Sequence, residues 1–224
     1  MVPARARLLG VLVAGALLVV SCGGAAAPPA TPTPTSTASP TATAQSGSWT
    51  VTDKSKANVR VREQLVGVSA PSDAVLVATG AKGAFAIKDD GTFTPDSKIS
   101  FDVGTLTSDQ PSRDQSVKRN PLEVSRFPTA DFAPTKATGL RLPMPESGDF
   151  TFTLAGKMTI HGVSKEVTFD VTAKRSGNDL TATATANPTW KFADFGMEPP
   201  SSPLRVVSVT DEIKLIVDLV AARA

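Results

Sequence analysis

The strongest constraint in this sequence is a period of two. Phe150-Thr-Phe-Thr-Leu154 sets two phenylalanines and a leucine on one face of an extended segment and threonines on the other. Val167-Thr-Phe-Asp-Val171 repeats the pattern beyond a turn at His161-Gly162. Leu180 to Ala186 alternates threonine with alanine after the turn Ser176-Gly177-Asn178-Asp179, and Ile213, Leu215, Val217 and Leu219 form one face of a last strand. Successive side chains of an extended chain point to opposite faces, so this alternation specifies half-buried β-strands and not helices. Earlier candidates are Trp49 to Asp53, Ala57 to Val66, Val75 to Lys88 and Lys98 to Val103, with Asp89-Asp-Gly91 as a tight turn. About eight strands with so little helix predict an all-β sandwich or barrel. An antiparallel barrel of about eight strands has an interior that side chains fill or that holds one elongated ligand.

One segment breaks the alternation. Ser112 to Asn120 follows Pro111 and stops at Pro121, and Ser112 is placed to cap a two-turn helix. Val117 is its only large apolar residue, so the helix is expected at the surface, covering one end of the sheet.

The alternating body, 48–224, follows two stretches of different character. Residues 1–21 read as an export signal: Arg5 and Arg7, then the apolar run Leu8 to Val20, 13 residues long. A membrane-spanning helix needs roughly 17 to 25 residues, so the run fits a cleaved secretory signal. Val19-Val20-Ser21-Cys22 resembles the bacterial lipobox, which makes Cys22 the expected site of lipidation. Residues 22–47 are then Cys22 and a tether, Gly23 to Gly47, of Ala, Thr, Pro, Ser, Gly and one Gln, too poor in apolar side chains to fold. Its Thr-Pro steps favour extended, polyproline-like structure.

Composition removes several function classes. Arg5 and Arg7 are the only charges before Ser48, leaving 21 basic and 21 acidic residues in the body. A neutral body lacks the basic footprint of a nucleic-acid binder. One cysteine and one histidine leave no intramolecular disulfide and little material for a metal site, so no metal and no cofactor are expected.

Three blocks in the body carry a family likeness. The first contains Leu106-Thr-Ser-Asp109, Arg113-Asp114, Val117-Lys-Arg-Asn120, Leu122-Glu123 and Phe127-Pro-Thr-Ala-Asp-Phe132. The second is Leu154-Ala-Gly-Lys-Met-Thr-Ile-His-Gly-Val163 with Lys165 and Val167, and the third is Phe192-Ala-Asp-Phe-Gly-Met197 with Ser208-Val209 and Asp211. In order and spacing they resemble the YceI-like family of bacterial exported proteins. The resemblance implies an eight-stranded antiparallel lipocalin-like barrel whose apolar interior holds a polyisoprenoid or other long-chain lipid. It also implies a non-enzymatic role in carrying that lipid in the cell envelope. The sequence departs from the family near its start: Asp53-Lys-Ser-Lys56-Ala57 stands where many members have a His-Ser pair, and Arg60, Arg62 and Glu63 stand where apolar residues are common.

The residues themselves point to interior space. Phe150, Phe152, Leu154, Val167, Phe169 and Val171 offer bulky inward-capable side chains, while the neighbouring strand offers only Ala182, Ala184 and Ala186. Interiors are close-packed, so small residues facing an open middle leave room for a ligand. Alternatively, the alanines mark a place where the barrel pinches shut. The expected apolar lining is Val59, Val61, Phe150, Phe152, Leu154, Val167, Phe169, Val171, Phe195 and Met197, with Phe195 and Met197 closing the mouth.

Other features have plainer readings. His161 reads as a turn histidine using its ring for local hydrogen bonds, with a general-base role in a cofactorless hydrolase as the alternative. Arg113 and Asp114, with Lys118 and Arg119, form either an anion-binding patch or a solvated helix face, and Arg113-Asp114 are also placed to anchor the loop after Leu106. Asp194-Phe-Gly196 matches a kinase tripeptide by chance. Together these readings describe a lipid-anchored, extracytoplasmic, non-catalytic carrier of an isoprenoid-type lipid, partnered by a membrane through its anchor; a homodimer stays open. The runner-up is an envelope interaction module with a filled barrel.

Overall fold

The computed structural model describes residues 45–201 and 206–224. The expected signal, Cys22 and most of the expected tether lie outside the described residues. Ten strands and one α-helix follow in the order β1 (Gln45–Val51), β2 (Lys56–Leu65), β3 (Ser72–Ala78), β4 (Lys82–Lys88), β5 (Lys98–Asp102), α1 (Pro111–Arg119), β6 (Thr129–Thr138), β7 (Ser147–Ile160), β8 (Val163–Ser176), β9 (Asp179–Ala186) and β10 (Val206–Arg223). β1 thus begins three residues before the expected start of the body.

All strands pair antiparallel in a single sheet, with neighbours in the order β1-β4-β5-β6-β7-β8-β9-β10-β2-β3. β1 also pairs with β10, through Trp49–Arg223 to Val51–Ala221, so the pairing returns on itself. β10 makes this closure with its length: one edge pairs with β9, while the other pairs with β2 and then with β1.

The strand count is ten where the alternation predicted about eight, for two physical reasons. Val75 to Lys88 is two strands, broken at Thr79-Gly80-Ala81, where Gly80 takes a φ of +68°. Without a Cβ it adopts this left-handed geometry freely, and the chain leaves β2 to join β1 and β5. β6 escaped notice because its alternation changes parity. Its register shifts between Pro134 and Lys136, so Phe132 and Pro134 are buried before this bulge and Ala137 after it.

β7 and β8 run for 14 residues each, joined by the two-residue turn His161-Gly162 with φ of +53° and +75°. Positive φ at both turn positions matches the right-handed twist of a hairpin. α1 forms where a helix was expected, but it starts at Pro111, with Gln110 and not Ser112 at the N-cap position. Proline at the first helical position needs no hydrogen-bond partner for a missing N–H, and the start falls two residues earlier than a Ser112 cap would set it. Val117 packs against the core from the exposed helix.

The register sets two ends. The turn His161-Gly162, α1 and the loop after β9 share one, the α1 end; Ser147 and Ser176, the start of β9 and the close of β10 share the other. At that far end Arg175, 3% exposed, donates to the carbonyls of Gly177 (2.9 Å), Met144 (2.8 Å) and Pro145 (3.0 Å). Its guanidinium also lies 5.2 Å from the ring centre of Trp49.

Candidate functional site

The inward faces of the strands enclose an apolar cavity of about 530 Å³. Along β7 its wall is Phe152, Leu154, Met158 and Ile160, along β8 Phe169, Val171 and Ala173, and along β9 Leu180, Ala182 and Ala184. Thr181, Thr183 and Thr185 face outward, so the alanine face of β9 is the inner one and faces open space. From Phe152 to Ile160 the β7 wall alone extends roughly 26 Å at the usual strand rise.

Eight of the ten expected lining residues border this cavity: Val59, Val61, Phe152, Leu154, Phe169, Val171, Phe195 and Met197. Phe150 and Val167 are buried but do not border it. Phe150 stands at the far end, with Gly139, Arg141 and Pro145 around a separate shallow pocket. Val167 pairs with Gly156, and the Phe132 ring lies so close there that a Cβ on Gly156 would come within 2.5 Å of it. That ring covers the stretch of wall to which Val167 belongs.

Phe132 opens a series of aromatic contacts, edge-on at the first two and tilted at the third. Its centroid lies 5.2 Å from Phe169, Phe169 lies 5.8 Å from Trp190, and Trp190 lies 5.2 Å from Phe195. Such contacts add to the burial of the rings themselves and hold them in fixed orientation. Trp190 and Phe132 border the cavity and were not foreseen. Trp190 sits outside any regular strand, bridged to Ile213, where no periodicity marks it.

At the α1 end the wall turns polar. Glu63, on β2, continues the inward series of Val59 and Val61 and is buried. Its Oε1 accepts a hydrogen bond from Arg113 Nη2 of α1 at 2.5 Å, with side chains 7% and 13% exposed. Arg113 Nη1 also pairs with Asp109, and Ser108 Oγ donates to Asp114 Oδ1 at 2.6 Å. Arg113 and Asp114 therefore do anchor the loop after Leu106. Gln110, Ser112, Ser116 and Ser201 complete the polar border.

His161 stays outside the cavity. Its ring meets Phe127 edge-on at 4.6 Å, and its Nε2 lies 3.3 Å from Glu123 Oε1. Hydrogen bonds from Arg126, and secondarily the His161 contact, hold the Glu123 carboxyl below its ordinary range. Asp194 is engaged by Lys165 and by the backbone N–H of Lys191 at 2.9 Å, which holds its carboxyl low as well.

Known proteins share both the sequence pattern and this architecture. A UPF0312 protein of Pseudomonas putida strain F1 is 33% identical over 130 residues, covering 50% of this chain and 62% of that relative. A UPF0312 protein of Pseudomonas fluorescens SBW25 is 32% identical over 133 residues, covering 54% of this chain and 66% of the relative. Among solved structures, a polyisoprenoid binding domain from Saccharophagus degradans superposes with a TM-score of 0.59 at 13% identity, over 79% of this chain and 98% of that one. Burkholderia cenocepacia BcnA gives 0.51 at 18% identity, over 75% and 97%. At these identities the two structures establish a common fold. The model of the YceI-like domain matches residues 39–221, and the chain belongs to the YceI-like family.

Proposed function

We propose that this protein carries a single long, apolar, isoprenoid-type lipid inside its β-sheet ring, which we read as a lipocalin-like barrel. The observation that supports this most directly is the elongated apolar cavity, where the Ala182–Ala184 face of β9 stands across from bulky side chains and leaves space. Its volume of about 530 Å³ falls in the range of roughly 300 to 1,000 Å³ occupied by small-molecule sites. The polyisoprenoid-binding domain with the shared fold points the same way. On this reading the protein is a carrier and not an enzyme. A signal peptide directs export, lipidation at Cys22 anchors it to a membrane of the cell envelope, and the tether lets the cavity approach that membrane.

Native mass spectrometry of the compact unit Ala42–Ala224, exported without its anchor, tests the proposal. The expected result is a stoichiometric apolar adduct recovered in an organic extract. A protein that is empty, and stays empty when offered polyprenyl lipids and quinones, overturns it. One feature favours the interaction-module alternative: Val66, Val68 and Val207 are exposed near the paired residues Leu65 and Val206. That alternative requires a filled interior, and a cavity of this size speaks against it.

A further inference from the structure

We infer that the Glu63–Arg113 pair filters headgroups, admitting lipids that end in an uncharged hydrogen-bond donor, such as an alcohol, phenol or primary amide, and excluding those that end in phosphate or diphosphate. This rests on the carrier reading and adds the chemistry of the ligand's polar end.

Four observations carry it. First, Glu63 occupies an inward position of β2 in series with Ala57, Val59 and Val61, so its carboxylate meets the cavity rather than solvent. A buried carboxylate is tolerated when paired and hydrogen-bonded, and Arg113 supplies that pairing. Second, Arg113 is already answered by two carboxylates, Glu63 and Asp109. Its charge is spent, leaving none for a phosphate, which would instead face the Glu63 carboxylate in a low-dielectric setting where like charges repel strongly. Third, a carboxylate offers about four acceptor sites on two oxygens. Among the described residues only Arg113 bonds to Glu63, and it does so at Oε1. Oε2 is thus available to accept an O–H or N–H from a ligand. Fourth, among the described residues the remaining polar border, Gln110, Ser112, Ser116 and Ser201, is uncharged. At the far end Arg175 is committed to three backbone carbonyls and does not border the cavity.

The test uses the full chain, purified in detergent and stripped of lipid. Three probes of equal chain length compete with a fluorescent alkyl probe at neutral pH: a polyprenol, its methyl ether and its monophosphate. The alcohol should bind at least tenfold more tightly than the phosphate, with the ether between them. In Glu63→Gln the phosphate should gain at least fivefold while the ether changes little. Glu63→Leu, which extends the apolar series of β2, should lose the preference for alcohol over ether. Equal binding of alcohol and phosphate by the unaltered protein overturns the inference, as does an unchanged alcohol-to-phosphate ratio in Glu63→Gln. Failure of all three probes to bind overturns the carrier reading itself, which separates the two failures.

Discussion

Arg113 and Arg175 are both largely buried guanidinium groups, placed at opposite ends of one sheet, and their surroundings differ in kind. Arg175 is met by backbone carbonyls and the face of Trp49, with no carboxylate on it among the described residues. Arg113 is met by two carboxylates, one of which borders the cavity. Carbonyl dipoles satisfy a cation and leave the chain no freedom, since each bond also fixes a loop. A carboxylate at a cavity wall satisfies the cation and retains acceptor capacity of its own. The same side chain therefore closes the molecule at one end and leaves chemistry exposed to the interior at the other.

The comparison is broken most severely by removing the closing arginine. Arg175→Met should lower the unfolding free energy by about 3 kcal/mol, because three loop carbonyls lose the charged donor of a buried side chain. Urea denaturation measures this, and lipid preference should stay as it was. A change in preference with stability intact would mean that the far end also reads the ligand. Between the ends, Ala184→Phe should reduce lipid affinity at least tenfold, about 1.4 kcal/mol, by filling the space against Phe169 and Val171. Its melting temperature should hold or rise, since the new ring enters open volume and not a packed core. Arg113→Lys should cost about 1 kcal/mol in the same urea experiment, because one ammonium cannot reproduce a planar fork shared between Glu63 and Asp109.

The smallest effect belongs to acid. Burial pushes the Asp131 carboxyl up, but hydrogen bonds from Lys98 and Ser100 outweigh it and hold the group below its ordinary range. Asp194 is held low by Lys165 and then by the Lys191 backbone. A carboxyl lowered in the folded state stabilises fully above its unfolded pKa, near 4, and that stability is lost as pH falls through the folded value. Stability should therefore be level from neutral pH down to about 5 and decline below about 4. Asp131→Asn should flatten that decline by less than about 1 kcal/mol, the partly exposed ion pair with Lys98 being screened by solvent.

Much of the fold was legible where alternation runs unbroken. β7 through β10 keep apolar and polar residues on opposite faces over long stretches, and a slip of one residue would exchange those faces. β6 was hidden because Pro134 and the register shift beside it reverse the parity within one strand. Part of the apolar lining, such as Phe152, Leu154, Phe169 and Val171, was legible for the same reason as the strands. Glu63 stood out only as a departure from the family, together with Arg60 and Arg62, although it shares parity with Val59 and Val61 while the two arginines occupy the outer face. What no local pattern encodes is its partner, because Arg113 lies 50 residues away and reaches Glu63 only when α1 settles over the end of the sheet. Trp190 was invisible for a related reason: a residue in a loop has no periodicity, and only the closed aromatic series gives it a place.

β10 carries one irregularity with a consequence for exchange of backbone hydrogens. Its partners on β2 step from Val209–Glu63 to Ile213–Val61, so Thr210, Asp211 and Glu212 stand opposite the single residue Arg62. Surplus residues in one strand leave ladder hydrogen bonds unmade. Local opening is easiest where such bonds are few and exposed. Deuterium should accordingly enter the amides of 210–212 well before those of Ile213 to Val220, and it should enter beside Glu63, at the polar end of the cavity.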